Sequence, residues 1–329
     1  MTAAPCRHIA VVSLDLVGVD ERLRRSIERI AVDKQRGAAA LVREAAVAVA
    51  EWLQRLPPGY SALKEAICDV SRQLVAAQPT MAPFVQLANQ LLWAAELAPP
   101  GNELHAIREA LEAFSRRMES QLDRIFEAIA DRLSGCHRVF TYSYSSVVLA
   151  VMARLAHRTA VEVLCTEGRP VREGVLLASE LARLGIPVRL GVDAAAWQLV
   201  AESDVVLIGA DAVTPTHLYN KQGTTLLVLA ARHLNRPAYC LCGTEKLVPK
   251  GYSLPPEASK DPREVLEHSI PGVQVVNFYF EATPLELVSG LATDQGFFRP
   301  EEVSRLAAFS ELHPALAQSG LVSLDDASV

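Results

Sequence analysis

Two hydrophobic periodicities divide the chain. From Leu23 to Leu133 the apolar residues recur three and four apart; from Arg138 onward, short continuous apolar runs alternate with helical segments. The first stretch predicts five helices. Leu23–Val32 has helical spacing and ends at the break Asp33-Lys34-Gln35-Arg36-Gly37. Ala38–Leu56 runs without Gly or Pro and is rich in good helix formers, until Pro57-Pro58-Gly59 stops it. Helices follow over Ser61–Ala77 and Phe84–Leu97, each closed by a Pro-containing breaker. The longest carries the stripe Leu104, Ile107, Leu111, Phe114, Met118, Leu122, Ile125, Ile129, Leu133. That stripe suits packing on its own domain better than a coiled-coil seam, because the flanking helices also need a partner.

The second stretch predicts strands at Val139–Tyr142, Ala160–Thr166, Val188–Val192, Asp204–Gly209, Ala238–Cys242 and Gln274–Phe280. Helical segments at Ser145–Ala156, Glu173–Leu184, Ala195–Glu202 and Thr224–Leu234 separate most of them. Short apolar strands alternating with helices indicate a parallel sheet covered on both faces. Right-handed crossovers then give a doubly wound, Rossmann-like domain. The expected organisation is a helical N-terminal domain over residues 1–134 and a Rossmann-like α/β domain over 135–329.

Composition narrows the function classes. Half of the 329 residues are hydrophobic, 21% are charged and the net charge is −6, which fits a globular protein. The densest basic cluster, Arg22, Arg24, Arg25 and Arg29, is interrupted by Glu28 and reads as a solvated helix face. General nucleic-acid and membrane-surface binding are therefore not expected. The six cysteines have neither disulfide-scaffold density nor zinc spacing; Cys240 and Cys242 read as small buried hydrophobes. The eight histidines form no ligand-spaced cluster, so neither a metal nor a cofactor is expected. Ile9–Val17 is short, contains Asp15 and lacks a cleavage pattern, and no run approaches a membrane span, so a cytoplasmic location is expected.

Doubly wound sheets bind ligands beyond the C-terminal ends of their strands. The first strand end gives Thr141-Tyr142-Ser143-Tyr144-Ser145-Ser146, where hydroxyls and a helix N-terminus suit either an anion or a simple N-cap. The second gives Glu167-Gly168-Arg169-Pro170, a carboxylate for hydroxyls and a guanidinium for phosphate, or else an exposed ion pair. The third gives Asp193, read as a helix N-cap. The fourth gives Gly209-Ala210-Asp211, with Asn220-Lys221-Gln222-Gly223-Thr224 soon after; Asp211 is placed for acid/base work or for holding a ligand hydroxyl, or else is a helix N-cap. The Thr214–Tyr219 segment reads as a loop carrying His217, and Pro249–Pro262 as a surface loop or rim. There is no GxGxxG after the first strand and no GxxxxGK[ST].

In this order, Arg36-Gly37-Ala38, Thr141–Ser145, Glu167–Pro170, Gly209–Asp211, Asn220–Thr224 and Phe278–Pro284 resemble one family. It comprises the alpha, beta and delta subunits of translation initiation factor 2B, with ribose-1,5-bisphosphate and methylthioribose-1-phosphate isomerases as metabolic relatives. The resemblance covers about Leu23 to Val303. It implies a cleft between the helical and α/β parts that takes a phosphorylated sugar or nucleotide. It also implies ligand contacts from Arg36, Gly37, Ala38, Glu167, Arg169, Asn220 and Lys221, a catalytic Asp211, and a homodimer built through the C-terminal domain.

One departure bears on activity. Ser143 stands where the isomerases carry a cysteine that partners the aspartate. A thiol is readily tuned toward neutrality, whereas a serine hydroxyl needs an adjacent base. Ser143 thus favours a binding, regulatory protein like the initiation-factor subunits. The retained Asp211 keeps open an aldose–ketose isomerase acting on ribose 1,5-bisphosphate or a related pentose 1-phosphate, with Ser143 as hydrogen-bond donor.

Overall fold

The computed structural model describes residues 19–33, 36–57, 59–306 and 309–317. Ile9–Val17, Lys34, Gln35, Pro58 and the tail after residue 317 lie outside the described residues, and so do the expectations that fell on them.

Five helices come first: α1 (Glu21–Val32), α2 (Ala38–Arg55), α3 (Leu63–Ala77), α4 (Ala82–Leu97) and α5 (Glu103–Ala130). Asp20 caps α1, its carboxylate accepting the Leu23 N–H at 2.9 Å. Their apolar faces meet in one core built around Ile30, Val49, Trp52, Ile67 and Phe84. The α5 stripe serves two cores. Ile107, Leu111, Phe114 and Met118 belong to the helical core, while Ile125, Phe126 and Ile129 join a cluster under the sheet. A helix of 28 residues is about 40 Å long and outruns a single small core.

The α/β part runs β1 (Arg138–Thr141), α6 (Ser146–Ala156), β2 (Glu162–Thr166), α7 (Glu173–Arg183), β3 (Val188–Gly191), α8 (Ala196–Glu202) and β4 (Val205–Ile208). It continues with β5 (Ala212–Val213), β6 (His217–Lys221), α9 (Thr224–His233), β7 (Ala238–Leu241), β8 (Phe280–Pro284), β9 (Gly290–Thr293) and β10 (Gly296–Phe298). The main sheet has the order β10-β9-β7-β4-β1-β2-β3 and is parallel except for β10. The fold class is therefore the doubly wound α/β architecture expected from the sequence. Because β1 pairs with both β2 and β4, the winding reverses there, and a crevice at this switch point is where such sheets hold ligands.

Three segments differ from expectation. The stretch 290–298, in no predicted strand, forms β9 and β10 at one edge of the main sheet. Gln274–Phe280 is not a strand; Val273 and Val276 are exposed, with no neighbouring strand to cover them, and pairing begins only at Phe280. Thr214–Tyr219 is not a loop but contains the start of β6, which pairs with β5 and β8 in a small antiparallel sheet. Its mixed polar residues give no apolar run, and cross-strand register such as Asn220 opposite Glu281 holds it. Among the described residues no helix is long and apolar enough to cross a membrane.

The helical part is tied to the strand ends directly. The Gln86 amide donates to the Leu247 carbonyl, and the Tyr252 hydroxyl donates to the Pro79 carbonyl at 2.9 Å. The Asn89 side chain holds the returning C-terminal segment by accepting the His313 N–H at 2.7 Å.

Candidate functional site

At the end of β1 the backbone turns sharply, with Ser143 in the left-handed region at φ 62°. Ser143 is buried, and among the described residues no base hydrogen-bonds its hydroxyl. Ser145 is the N-cap of α6, accepting the Val148 N–H at 3.3 Å. The helix start presses on the end of β4: a Cβ at Gly209 would fall 2.6 Å from the Ser145 Oγ, so glycine is required there. Tyr142 donates its hydroxyl to the Gln222 carbonyl at 2.6 Å, joining the first strand end to the turn after β6. Burial pushes the Tyr142 phenol well up.

At the end of β2, Gly168 and Arg169 donate their N–H groups to the two oxygens of Asp193, at 2.9 and 2.7 Å. Asp193 is thus a brace for this loop and not the N-cap expected; the parallel neighbour β3 delivers its carboxylate beside two unpaired amides. Glu167 lies 3.6 Å from the Arg172 guanidinium. The exposed Arg169 reaches the other way and donates to the Glu264 carbonyl at 3.1 Å. Glu264 also accepts the Tyr279 hydroxyl at 2.5 Å, so the segment between β7 and β8 forms a rim over this strand end.

Beyond β4, Asp211 keeps 38% of its side-chain surface, so one face of its carboxyl is open. Burial raises its pKa, with Glu173 and Glu257 adding to the rise while Lys246 and Lys221 oppose it. Lys246 is 4.0 Å away, close enough for attraction but beyond hydrogen-bond range. It sits on a 3-10 turn, Thr244–Lys246, that Asp294 secures by accepting the Thr244 N–H at 2.7 Å and its hydroxyl at 3.1 Å.

Asn220 and Lys221 end β6. The Asn220 amide donates to the Thr224 hydroxyl at 3.0 Å, and that hydroxyl donates to the Lys221 carbonyl at 2.6 Å. The Lys221 ammonium is buried and donates to both oxygens of Glu173, at 2.8 and 3.0 Å, with the Tyr279 ring 5.0 Å from it. Glu281 completes this corner by accepting the Thr225 N–H at 2.6 Å at the start of α9.

Next to Lys246 lies an unsatisfied pair. Both oxygens of Glu245 and both polar atoms of the Gln121 amide are buried with no hydrogen-bond partner. A Cβ at Gly243 would meet Glu245 Oε2 at 2.0 Å and Gln121 Oε1 at 2.1 Å, so the two side chains crowd one spot. Burial pushes the Glu245 carboxyl up, with Asp294 adding to the rise while Lys246 and Arg117 oppose it.

The fold gathers Asp211, Lys221, Glu173, Lys246 and Tyr142 around the strand ends, with Asn220 and Ser143 flanking them. Arg36 stands apart: it is exposed, and its guanidinium bonds Asp33 and Glu44 in the helical part at 2.7 Å each. Gly37 is the N-cap of α2, and the buried Ala38 opens that helix. Sequence reasoning missed Glu173, Lys246 and Tyr279. Lys246 was findable, since it follows the Ala238–Cys242 run just as Asp211 follows the fourth; Glu173 showed only as the start of a helix. The concavity between α2 and α5, lined by Gln54, Arg108, Leu111 and Glu119, contains none of these residues. Among the described residues no group of three His, Cys, Asp or Glu side chains is placed to hold a metal ion.

A doubly wound, mostly parallel sheet with charged groups beyond its strand ends, joined to a helical part, defines a Rossmann-like α/β class. The chain belongs to the initiation factor 2 subunit family, whose model matches residues 34–300. It is 30% identical over 288 residues to the ribose 1,5-bisphosphate isomerase of Archaeoglobus fulgidus, covering 85% of this chain and 91% of that protein. It is 27% identical to a translation initiation factor eIF-2B subunit 2-like protein of Pyrococcus furiosus, covering 85% and 97%. Among solved structures, the eIF-2B of Pyrococcus horikoshii OT3 matches with a TM-score of 0.71 at 26% identity, covering 86% and 98%. The 5-methylthioribose 1-phosphate isomerase of the same organism shares the fold, with a TM-score of 0.66 at 23% identity.

Proposed function

We propose that the chain is a sugar-phosphate isomerase that interconverts an aldose and a ketose, with ribose 1,5-bisphosphate or a related pentose 1-phosphate as substrate. The observation that carries this reading is Asp211, a partly open carboxyl at the end of β4 with a lysine 4.0 Å away and a raised pKa. Isomerisation of a pentose 1-phosphate moves a hydrogen from C2 to C1, breaks the bond between C1 and the ring oxygen, and passes the C2 hydroxyl proton to that oxygen as C2 becomes the ketone, so no other reactant is consumed. A carboxylate whose pKa is shifted toward neutrality can take that proton and return it. Lys246 stabilises charge on the sugar oxygen, and Ser143 donates a hydrogen bond there. Arg169 and Lys221 hold phosphate, Glu167 and Asn220 hold hydroxyls, and Arg36 with the Gly37-Ala38 turn closes the site from the helical side. Relatives at about 30% identity named as ribose 1,5-bisphosphate isomerases support this reading.

A second reading, a regulatory protein that binds a sugar phosphate or nucleotide without turnover, is favoured by Ser143, whose hydroxyl lacks a base partner among the described residues. The discriminating experiment follows ribose 1,5-bisphosphate by phosphorus NMR. Formation of ribulose 1,5-bisphosphate, abolished by Asp211→Asn, is the expected result. Binding by calorimetry with no product leaves the regulatory reading standing and removes the isomerase.

A homodimer through the α/β part belongs to the same proposal. The edge strand β3 and the adjoining α7 expose Leu190, Val192, Val175 and Leu176, an apolar face of the kind that pairing would cover. A monomer mass by light scattering at micromolar concentration would remove that part.

A further inference from the structure

The anion seat on Lys221 is already filled by protein. Lys221 is 2% exposed, and both oxygens of Glu173 lie on its ammonium at 2.8 and 3.0 Å. By contrast Arg169, the other cation proposed to hold phosphate, donates to a neutral carbonyl, that of Glu264. The two cations therefore differ in what an incoming phosphate meets: a carbonyl at Arg169, a carboxylate at Lys221.

The backbone that presents Glu173 is fixed. A Cβ at Gly174 would fall 1.9 Å from the Thr166 carbonyl oxygen, and the Gly174 N–H donates to the Glu167 carbonyl at 3.1 Å. Arg172 precedes it in the left-handed region at φ 66°. The Glu173 side chain, however, keeps 27% of its surface. It can turn out to solvent while the loop stays in place, whereas Lys221 has nowhere else to go. A phosphate oxygen and a carboxylate oxygen compete for the same donors, and holding both on one ammonium sets like charges together.

We propose that Glu173 is a specificity-determining residue that occupies the anion seat on Lys221, so that a phosphate reaches Lys221 only by displacing the Glu173 carboxylate. The proposal rests on reading the strand ends as a sugar-phosphate site. It makes the second anion position of the site conditional: the Arg169 end accepts phosphate outright, and the Lys221 end accepts it at the cost of the internal pair.

The test is calorimetry with ribose 1,5-bisphosphate on the full chain and three variants. Glu173→Gln binds about tenfold tighter or more, because the competing charge is gone. Adding Lys221→Met to Glu173→Gln abolishes that gain, which a merely structural Glu173 would not do. Glu173→Asp keeps the charge but withdraws it by one methylene and gives a smaller gain in the same direction, which serves if the Gln variant does not fold. Binding by the parent chain with no gain, or a loss, in these variants overturns the proposal alone. No binding by any of the proteins overturns the site reading beneath it, and binding by the Glu173 variants alone supports the proposal in its strongest form.

Discussion

Lys221 and Lys246 are both buried lysines beside a carboxylate, yet the two ends of the site treat them differently. Lys221 is in direct contact with both oxygens of Glu173 at 2.8 and 3.0 Å. Lys246 stands 4.0 Å from Asp211, on a turn that Asp294 holds from behind. A contact pair saturates its cation and fixes two elements to each other, here β6 and α7. A spaced pair leaves the field of the cation acting on a carboxyl that keeps an open face. One arrangement is suited to holding a structure together, the other to tuning a group that exchanges protons.

Three measurements can break or sharpen this contrast. Lys221→Met removes the charge pair that joins β6 to α7 and leaves the Glu173 carboxylate without its partner. It lowers stability by about 2–3 kcal/mol in urea unfolding, below the full cost of breaking a buried pair because Glu173 is partly exposed. A loss under about 0.5 kcal/mol would place this pair with ordinary surface ion pairs.

Glu245→Gln tests the unsatisfied carboxyl next to Lys246. Its folded pKa is raised above the ordinary 4.5 by burial. The stability it contributes is therefore fully present below about 4.5, the unfolded value, and is lost as pH rises through the folded value. The glutamine variant loses that share of the slope and is more stable than the parent at pH 7, by ~1–3 kcal/mol. Parallel urea midpoints for parent and variant from pH 4 to 8 would show instead that Glu245 is paired.

The smallest effect is on the pH profile of turnover. Lys246 lowers the Asp211 pKa and Glu173 raises it. If the Asp211 carboxylate is the working form, activity falls as pH drops through its raised pKa. Lys246→Met then moves this acid limb to higher pH and Glu173→Gln moves it lower. An acid limb that neither variant moves would mean that another group titrates.

Much of the fold was legible because its signals are local. The helices and the parallel strands β1, β2, β3, β4 and β7 follow from apolar spacing, and their ends follow from Asp20, Ser145 and the Pro-Gly breakers. The small antiparallel sheet was not legible, since β5, β6 and β8 carry polar residues and are held by cross-strand register. The same limit applied to Asp193, which any local rule assigns to the helix that follows it, and which the neighbouring strand turns toward Gly168 and Arg169.

For the candidate site, the sequence by itself determined that Ser143, Glu167, Arg169 and Asp211 follow apolar strands, whereas Lys221 was legible only as part of a segment before a helix, because β6 was not. Their order along the chain also determined the family. Only the tertiary structure decided what each charge meets: Glu173 for Lys221 from 48 positions away, Lys246 for Asp211, and the crowding of Gln121 on Glu245. The physical reason is range. Helix spacing, caps and strand runs are set by neighbours within a few residues. The burial and partner of a charge depend on which distant elements the packed core brings together, and a single sequence does not print those distances.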